Sequence, residues 1–389
     1  MSKSSKESRT KSATCVGCQS DSLHFIYSPA GTKRNSKVFD CHVCGLIQSK
    51  SNIKKRKRRS LSSDADWGNV RHAKPLRIES NNKILTEVLH SLPPSPTILD
   101  IGASRGHFYS FLKNNLFNFL YEGVESDNTL PKFSVNNGML HYRKFEDIQE
   151  SLLSKKYDLI FLNHTLEHVD EPRKLLQACM NLMDDSSLLW IDVPNTTQIN
   201  DKYIVEEYFI DKHTVHFSKE SLNKLLNMLG YRVVKDFSDN FNLVLLCKVD
   251  DSFESRFTNE AKCVEKLIKD YSKNLINNRK ALKDIAEAIE SLENGLIIFG
   301  GGRLLEAIVR YGGFNVENVK ICDSYLSKYA ENLGYKIYSP DQISWSEVTK
   351  VLILARSSKI AIAEYVKQKC SAEILYFEEL LRKYSDSLK

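Results

Sequence analysis

Four of the nine cysteines stand in two pairs, Cys15-Val-Gly-Cys18 and Cys41-His-Val-Cys44, with 22 residues between the pairs. A two-residue spacing lets both sulfurs of a pair reach one ion at about 2.3 Å, and two such knuckles suit tetrahedral Zn2+ held by four thiolates. Four sulfurs leave no open position for water, so the expected role of the ion is structural. Gly17 and Gly45 fall where knuckle turns want permissive backbone. A second chemical signal is Thr97-Ile-Leu-Asp-Ile-Gly-Ala-Ser-Arg-Gly-His-Phe108. It reads as an apolar strand that ends at Asp100, turns through Gly102, Ser104 and Gly106, and opens a helix. Such glycines let backbone approach a ligand closely. The N–H groups at the helix start can cradle a carboxylate or phosphate. Tyr121-Glu-Gly-Val-Glu125 is a further strand ending in an acid about 20 residues on, where nucleotide-binding α/β folds keep their ribose-binding carboxylate. Dehydrogenases share this arrangement, so spacing alone does not name the cofactor.

Histidines supply the remaining candidates. An imidazole with a pKa near 6.5 can take a proton from an activated carbon or a hydroxyl at neutral pH. His213 is the first choice for that role. His216 is the second, although with Phe217 it precedes Ser218, an expected N-cap for the next helix. His164 and His168 follow an apolar strand and are expected to face a cofactor cleft.

The elements that must position these residues alternate. Strands are expected at 97–101, 121–125, 157–162 and 187–193, and helices near 106–115, 128–137, 171–184 and 218–229. Strands at 231–237 and 242–248 read as an antiparallel pair at the end of the sheet. Strands separated by helices imply a doubly wound, mostly parallel sheet. Ahead of them, apolar residues recur at helical spacing from Ile84 to Leu92, and Pro93-Pro94-Ser95-Pro96 ends that helix. Residues 252–293 carry one apolar helical face, from Val264 to Leu292. From Gly295 the alternation resumes: strand 296–299, helix 303–311, strand 319–322, helix 326–331, strand 351–354, helix 358–368. Here Gly300-Gly-Gly302 and Asp323 repeat the strand, turn and acid logic.

Composition narrows the setting. No apolar run approaches the roughly 18–20 residues of a membrane-spanning helix. The polar start MSKSSKESRTKS lacks the apolar core of a secretory signal. Five scattered cysteines, Cys179, Cys247, Cys263, Cys322 and Cys370, read as thiols in a reducing compartment. A cytoplasmic location is expected. The net charge of +6 is uneven: residues 1–60 hold 14 Lys and Arg against three Asp and Glu. The run Lys54-Lys55-Arg56-Lys57-Arg58-Arg59 reads as a solvated linker, with a nuclear signal or anion-binding arm as the sharper alternative.

Asp100-Ile-Gly-Ala-Ser-Arg-Gly106, Gly123-Val-Glu125-Ser126 and Tyr157-Asp-Leu-Ile-Phe-Leu-Asn-His-Thr-Leu-Glu-His-Val169 resemble the successive motifs of class I S-adenosylmethionine-dependent methyltransferases. Leu188-Leu-Trp-Ile-Asp-Val-Pro-Asn195 and His216-Phe-Ser-Lys-Glu-Ser-Leu222 continue the pattern. The resemblance implies that Asp100, Gly102, Ser104 and Gly106 border the methionine part of the cofactor and that Glu125, followed by Ser126, holds the ribose. Glu146 and Asp147 fall where adenine is gripped. Asn163 and His164 line the cofactor and substrate side. The whole chain is similar in architecture to the sugar C-methyltransferases, which join a four-cysteine ribbon, this core and a second Rossmann-like unit. The stretches Ile298-Phe-Gly-Gly-Gly302, Ile321-Cys-Asp323, Gly334-Tyr-Lys-Ile-Tyr-Ser-Pro340 and Val351-Leu-Ile-Leu-Ala355 carry that likeness, and His213 falls on a histidine of the family's catalytic segment.

The expected fold is therefore α/β: a class I methyltransferase core at 67–250, behind a disordered tail (1–12), a zinc ribbon (13–50) and a basic linker (51–66). A helical bridge (251–294) and a C-terminal Rossmann-like α/β domain (295–389) follow. The expected cofactors are S-adenosylmethionine and structural Zn2+. The expected substrate is a nucleotide-sugar or related small molecule, methylated at carbon with a histidine base. The competing reading is an RNA or protein methyltransferase that docks its substrate through the ribbon and the basic run.

Overall fold

The structure is a computed structural model describing residues 14–29, 35–51, 78, 81–250, 262–292, 295–327 and 335–385, less positions 129, 131, 137, 148 and 211. The tail expected over 1–12, the Lys54–Arg59 run and part of the helix expected at 326–331 lie outside the described residues. Two compact units are present. One gathers the described residues within Met1–Lys54, Pro75–Gln198 and Phe209–Ile268, the other those within Ile199–Tyr208 and Lys269–Lys389.

The first unit opens with an antiparallel meander of β1 (Leu23–Tyr27), β2 (Lys37–Cys41) and β3 (Ile47–Lys50). The alternation follows with β4 (Thr97–Ile101), β5 (Leu120–Val124), β6 (Gly138–His141), β7 (Leu159–Asn163) and β8 (Leu188–Pro194). Helices His107–Asn115, Gln149–Leu152 and Pro172–Met180 lie between them. After β9 (Val215–His216) and the helix Lys219–Met228 come β10 (Tyr231–Asp236) and β11 (Asn242–Val249). The large sheet has the order β10-β11-β8-β7-β4-β5-β6. Its neighbours are parallel except β11, which runs antiparallel to both β8 and β10. The strand pair expected at the sheet's end thus forms, but its second strand is the inner one. Leu243, Leu245 and Cys247 on β11 are buried, which gives the apolar run its place inside.

Alternation along the strands builds the core. Leu99, Ile160 and Leu189 face one buried cluster, while Ile98, Phe161 and Trp190 face the other. Parallel strands covered on both faces read as continuous apolar runs, which is why they were legible. β4 lies between β5 and β7, so the strand order reverses there. Open α/β sheets leave their ligand crevice at that point, beyond the carboxyl ends of the strands.

The helix expected at 128–137 does not form among the described residues, which run as loop into β6. Pro131 stands inside that span in the sequence, and proline disfavours a helix interior. Gly138 opens β6 with φ +148°, and a Cβ there would lie 1.7 Å from the Tyr121 carbonyl oxygen.

In the second unit the helix Leu282–Glu290 precedes β12 (Leu296–Phe299), the helix Arg303–Gly312, β13 (Lys320–Cys322), β14 (Ile337–Tyr338) and β15 (Lys350–Ile353). The helix Lys359–Lys369, β16 (Glu373–Tyr376) and the helix Phe377–Tyr384 complete it. Its five strands are parallel in the order β14-β13-β12-β15-β16. A second parallel α/β sheet is therefore present, as the alternation from Gly295 implies.

The four-stranded sheet closes on a short seam with a segment far along the chain. β9 pairs antiparallel with β3, Ile47 opposite His216 and Gln48 opposite Val215, making β9 the fourth strand of the meander. His216 is 2 % exposed, and its Nε2 lies 2.9 Å from Ser49 Oγ. Burial pushes this imidazole down to about 3, with Glu167 opposing. Cys15, Cys41, Cys44 and Leu46 belong to the same buried cluster as Leu99, Val215 and Phe217. The cysteine module thus shares a core with the sheet.

Two predictions follow from this packing. Gly138→Ala combines a positive φ with a backbone clash and should cost more than about 1 kcal/mol. Urea unfolding with an unchanged midpoint would show that β6 tolerates the side chain. The second concerns acid. An unfolded histidine binds its proton near 6.5, whereas folded His216 refuses it until about 3. Between those values the unfolded chain holds more protons, so stability falls as pH drops, by up to about 1.4 kcal/mol per pH unit for this group. His216→Gln should flatten the fall in urea midpoint between pH 7 and pH 5. An equally steep fall in the variant would clear His216 of this role.

Candidate active site and cysteine cluster

The glycine turn after β4 is closed by the acid after β5. Glu125 is buried; its Oε2 accepts from the Ser104 N–H at 2.9 Å and its Oε1 from the Asp127 N–H at 2.6 Å. Gly102, Ser104 and Gly106 have φ of +92°, +50° and +75°. Ser104 adopts the left-handed conformation although it is not glycine. Gly102 and Gly106 serve packing: an added Cβ would meet Thr165 Oγ1 at 2.2 Å and the Phe133 ring at 2.6 Å respectively. The sequence-based reason for these glycines was approach of a ligand; within the chain, they make room for Thr165 and Phe133. Asp100 is buried and accepts from the Tyr121 hydroxyl at 2.6 Å. Burial pushes its carboxyl up to about 7, the Tyr121 bond pulls it back, and Glu125 raises it further.

Ser126 is exposed beyond β5, and Glu146 and Asp147 are exposed on a 3-10 turn, Phe145–Asp147, that follows β6. Asn163 ends β7. Its Oδ1 and the Ser104 Oγ are buried without a hydrogen-bond partner among the described residues. Orphaned polar atoms at the ends of adjacent strands β4 and β7 are what a polar ligand would satisfy.

The turn after β7 and the loop bearing His213 bring three histidines to one acid. His164 has φ +51°, a strained value for a non-glycine residue and of a kind that clusters at functional sites. Its Nδ1 is 3.0 Å from Glu167 Oε1, and its Nε2 is 3.7 Å from Asp192 Oδ1 at the end of β8. Glu167 is 1 % exposed, yet its carboxyl stays ionised. Burial works against the charge, but His168, His164 and His213 together hold the group at about 2. His168 Nε2 lies 3.8 Å from the same Oε1, and its ring meets His213 edge-on at 4.8 Å. Burial and the neighbouring histidines depress His213 well below the usual range, with Glu167 partly offsetting them. His213 is therefore neutral at pH 7. Glu167, His168 and His213 place their ligand-type atoms within 4.8 Å of one another.

Sequence reasoning placed His164, His168 and His213 but gave no role to Glu167 or Asp192. The available signal was the Glu-His doublet directly after an apolar strand. An acid there is costly unless it serves neighbouring groups.

The four cysteines converge. Cys15 Sγ is 3.6 Å from Cys44 Sγ, Cys18 Sγ is 3.4 Å from Cys41 Sγ, and all four sulfurs lie within 4.8 Å of one another. Disulfides need about 2.05 Å. A tetrahedron with 2.3 Å metal–sulfur bonds has edges of about 3.8 Å, so the cluster fits one metal ion. Gly45 has φ +71°, as the knuckle requires, but in the first knuckle the left-handed residue is Gln19, at +65°. Gly17 is needed for space: a Cβ would press on Leu46 at 2.9 Å, with Cys15 and Cys44 Sγ at 3.7 Å.

Residues 72–236 match the family model of a methyltransferase domain. Comparison with curated proteins finds no match. Among solved structures the chain is similar to the N-terminal domain of EvdMO1 with SAH bound, at 16 % identity, covering 42 % of this chain and 78 % of that one, TM-score 0.34. It is also similar to the plantazolicin methyltransferase BpumL in complex with a monoazolic desmethylPZN analog and SAH, at 14 % identity, covering 48 % and 90 %, TM-score 0.40. A SAM-dependent methyltransferase from Archaeoglobus fulgidus matches at 22 % identity, covering 51 % and 86 %, TM-score 0.31. Among the described residues no helix is long and apolar enough to cross a membrane. The glycine turn, the closing acid and the reversal of strand order all fall inside residues 72–236, and this stretch is an S-adenosylmethionine-dependent methyltransferase domain.

Proposed function

We propose that this enzyme methylates a nucleotide-activated sugar or a related small molecule at carbon, with His213 as the general base. The observation that carries the reading is the group of His213, His168 and buried Glu167 beside the carboxyl end of β7. β7 is the strand next to β4, which bears the glycine turn. The nucleotide part of the reading rests on the architecture of the chain. The second unit repeats the acid-closed turn, with Asp323 accepting from the N–H groups of Gly301 at 3.2 Å and of Tyr325 at 2.9 Å.

When bound, S-adenosylmethionine supplies an electrophilic methyl group on a sulfonium that is a strong leaving group. Glu125, followed by Ser126, would hold the ribose hydroxyls, and Glu146 and Asp147 would flank the adenine. The backbone of Gly102, Ser104 and Gly106, with Asp100 behind it, would border the methionine part. Asn163 and His164 would line the side toward the acceptor. The four cysteines would hold structural Zn2+, leaving no position open for chemistry.

A carbon acceptor next to a carbonyl must lose a proton to become nucleophilic. His213, neutral before reaction, accepts that proton. The carbon so deprotonated would hold the electron pair that takes up the supplied methyl group, while the imidazole keeps the proton. Glu167 stays ionised and offsets the charge that develops on the imidazole, which makes it a positioning and electrostatic partner. His216, committed to the seam with Ser49, is assigned no proton transfer here.

Three variants test this reading. Glu125→Ala should weaken S-adenosylmethionine binding by about 10-fold or more, because a charge-assisted hydrogen bond contributes about 1.5–3 kcal/mol. Calorimetry with unchanged affinity in a folded variant would remove Glu125 from the site. His213→Ala should leave cofactor affinity intact and lower turnover by about 100-fold or more. With keto-sugar nucleotides as probes, the wild type should exchange a carbon-bound hydrogen with deuterated water and the variant should not. Glu167→Gln should move the acid limb of the rate profile to lower pH while lowering its plateau, since losing the anion makes His213 a weaker base. Methyl found on oxygen with no carbon exchange would end the C-methylation reading.

A further inference from the structure

We propose that the cysteine module carries a second metal site, built from Asp40, His42 and Glu265 and taking Zn2+ or a similar divalent ion of borderline softness. The site lies apart from both the sulfur cluster and the histidines beside β7. Strand alternation creates it. His24 on β1 stands opposite Asp40 on β2. His42 is two residues past Asp40, and its N–H continues the ladder to the Ser22 carbonyl. Residues two apart share a face of a strand, so His24, Asp40 and His42 share one side while Cys41 turns to the sulfur cluster. The rings of His24 and His42 confirm the shared side by stacking at 3.6 Å, 9° from coplanar. Glu265, in the first turn of the helix Lys262–Lys280, reaches the same place.

The geometry is that of a ligand set. His42 Nε2 lies 3.5 Å from Asp40 Oδ2 and 3.9 Å from Glu265 Oε2, and the three ligand atoms are all within 4.8 Å of one another. Nitrogen and oxygen ligands at about 2.0–2.1 Å from a tetrahedral ion stand about 3.3–3.4 Å apart. Small side-chain movements close the difference.

Asp40 is the observation that points to a cation. It is 1 % exposed, and neither carboxylate oxygen has a hydrogen-bond partner among the described residues. Burying a carboxylate without donors is expensive, and Glu265 brings a second negative charge to the same imidazole. A divalent ion between the two acids would satisfy the orphaned oxygens and cancel the repulsion. Imidazole with carboxylates suits Zn2+ better than the harder Mg2+ or Ca2+, which prefer all-oxygen shells. The ion would clasp the β1–β2 hairpin to the first turn of the helix Lys262–Lys280.

The test uses the full chain, stripped of metal and titrated with Co2+. Thiolate-to-cobalt absorption reports the cysteine cluster; a second equivalent that adds ligand-field absorption without adding to the thiolate bands reports the proposed site. The wild type should bind two equivalents. His42→Asn and Glu265→Gln, both altered at partly exposed side chains, should bind one and keep the thiolate bands. Asp40→Asn should do the same if it folds. Wild-type protein that binds a single equivalent, with thiolate bands, would overturn the proposal. So would a second equivalent that survives in His42→Asn and Glu265→Gln but disappears in His168→Asn, which would place it at the group beside β7.

Discussion

The backbone of one residue, Thr214, ties the cysteine module to the histidine turn. Its N–H donates to the Glu167 carbonyl at 2.9 Å, and its carbonyl accepts from the Ser49 N–H at 2.9 Å. The first bond fixes the chain to the turn after β7, the second to β3 of the cysteine module. His213 precedes this staple directly, and the β3–β9 pairing begins just after it. The Thr214 hydroxyl donates to the Val169 carbonyl, and the Lys212 carbonyl lies 3.0 Å from His168 Nδ1. The loop that carries the proposed base is thus bonded on both sides. Hydrogen bonds made from both the N–H and the carbonyl of one residue leave little freedom, and general bases work through placement within about half an ångström.

This gives the cysteine module a second meaning. Its sulfurs sit in the same buried cluster as the sheet that carries the glycine turn, and Arg173 on the helix Pro172–Met180 donates to the Gly17 carbonyl at 3.1 Å. A metal bound by the knuckles would rigidify β3, and through β3 the segment from Thr214 to His216. Structural metals stabilise small modules that lack a core of their own; here part of the core is borrowed from the sheet.

The units share a local solution to the same problem. A glycine turn exposes N–H groups at a helix start, and an acid at the end of the neighbouring strand accepts from them: Glu125 from Ser104 in one unit, Asp323 from Gly301 in the other. Both acids also accept from the N–H two residues on, at Asp127 and Tyr325. A carboxylate held this way by two backbone N–H groups is fixed in place, which lowers the ordering cost of any contact it makes.

By itself, the amino-acid sequence determined the alternation, the parallel sheets, the two knuckles and the acid-closed turns, because each depends on residues close together in the chain. Apolar runs bounded by turn residues read as buried strands whatever lies beside them, and a Cys-x-x-Cys pair brings both sulfurs to one ion through its own turn. Local chemistry also explains the failures. Residues 128–137 read as helix in the alternation, whereas the described residues there run as loop into β6, which opens at Gly138 with φ +148°. Only the tertiary structure decided which strand of the β10–β11 pair lies inside, that His216 pairs with Ser49 some 167 residues away, and that Glu167 keeps its charge. The charge of Glu167 depends on His164 and His168 nearby in the chain but also on His213 far along it. No spacing rule foresees a carboxylate whose partners arrive from a loop more than forty residues downstream, because burial and Coulomb energy are set by distance in space.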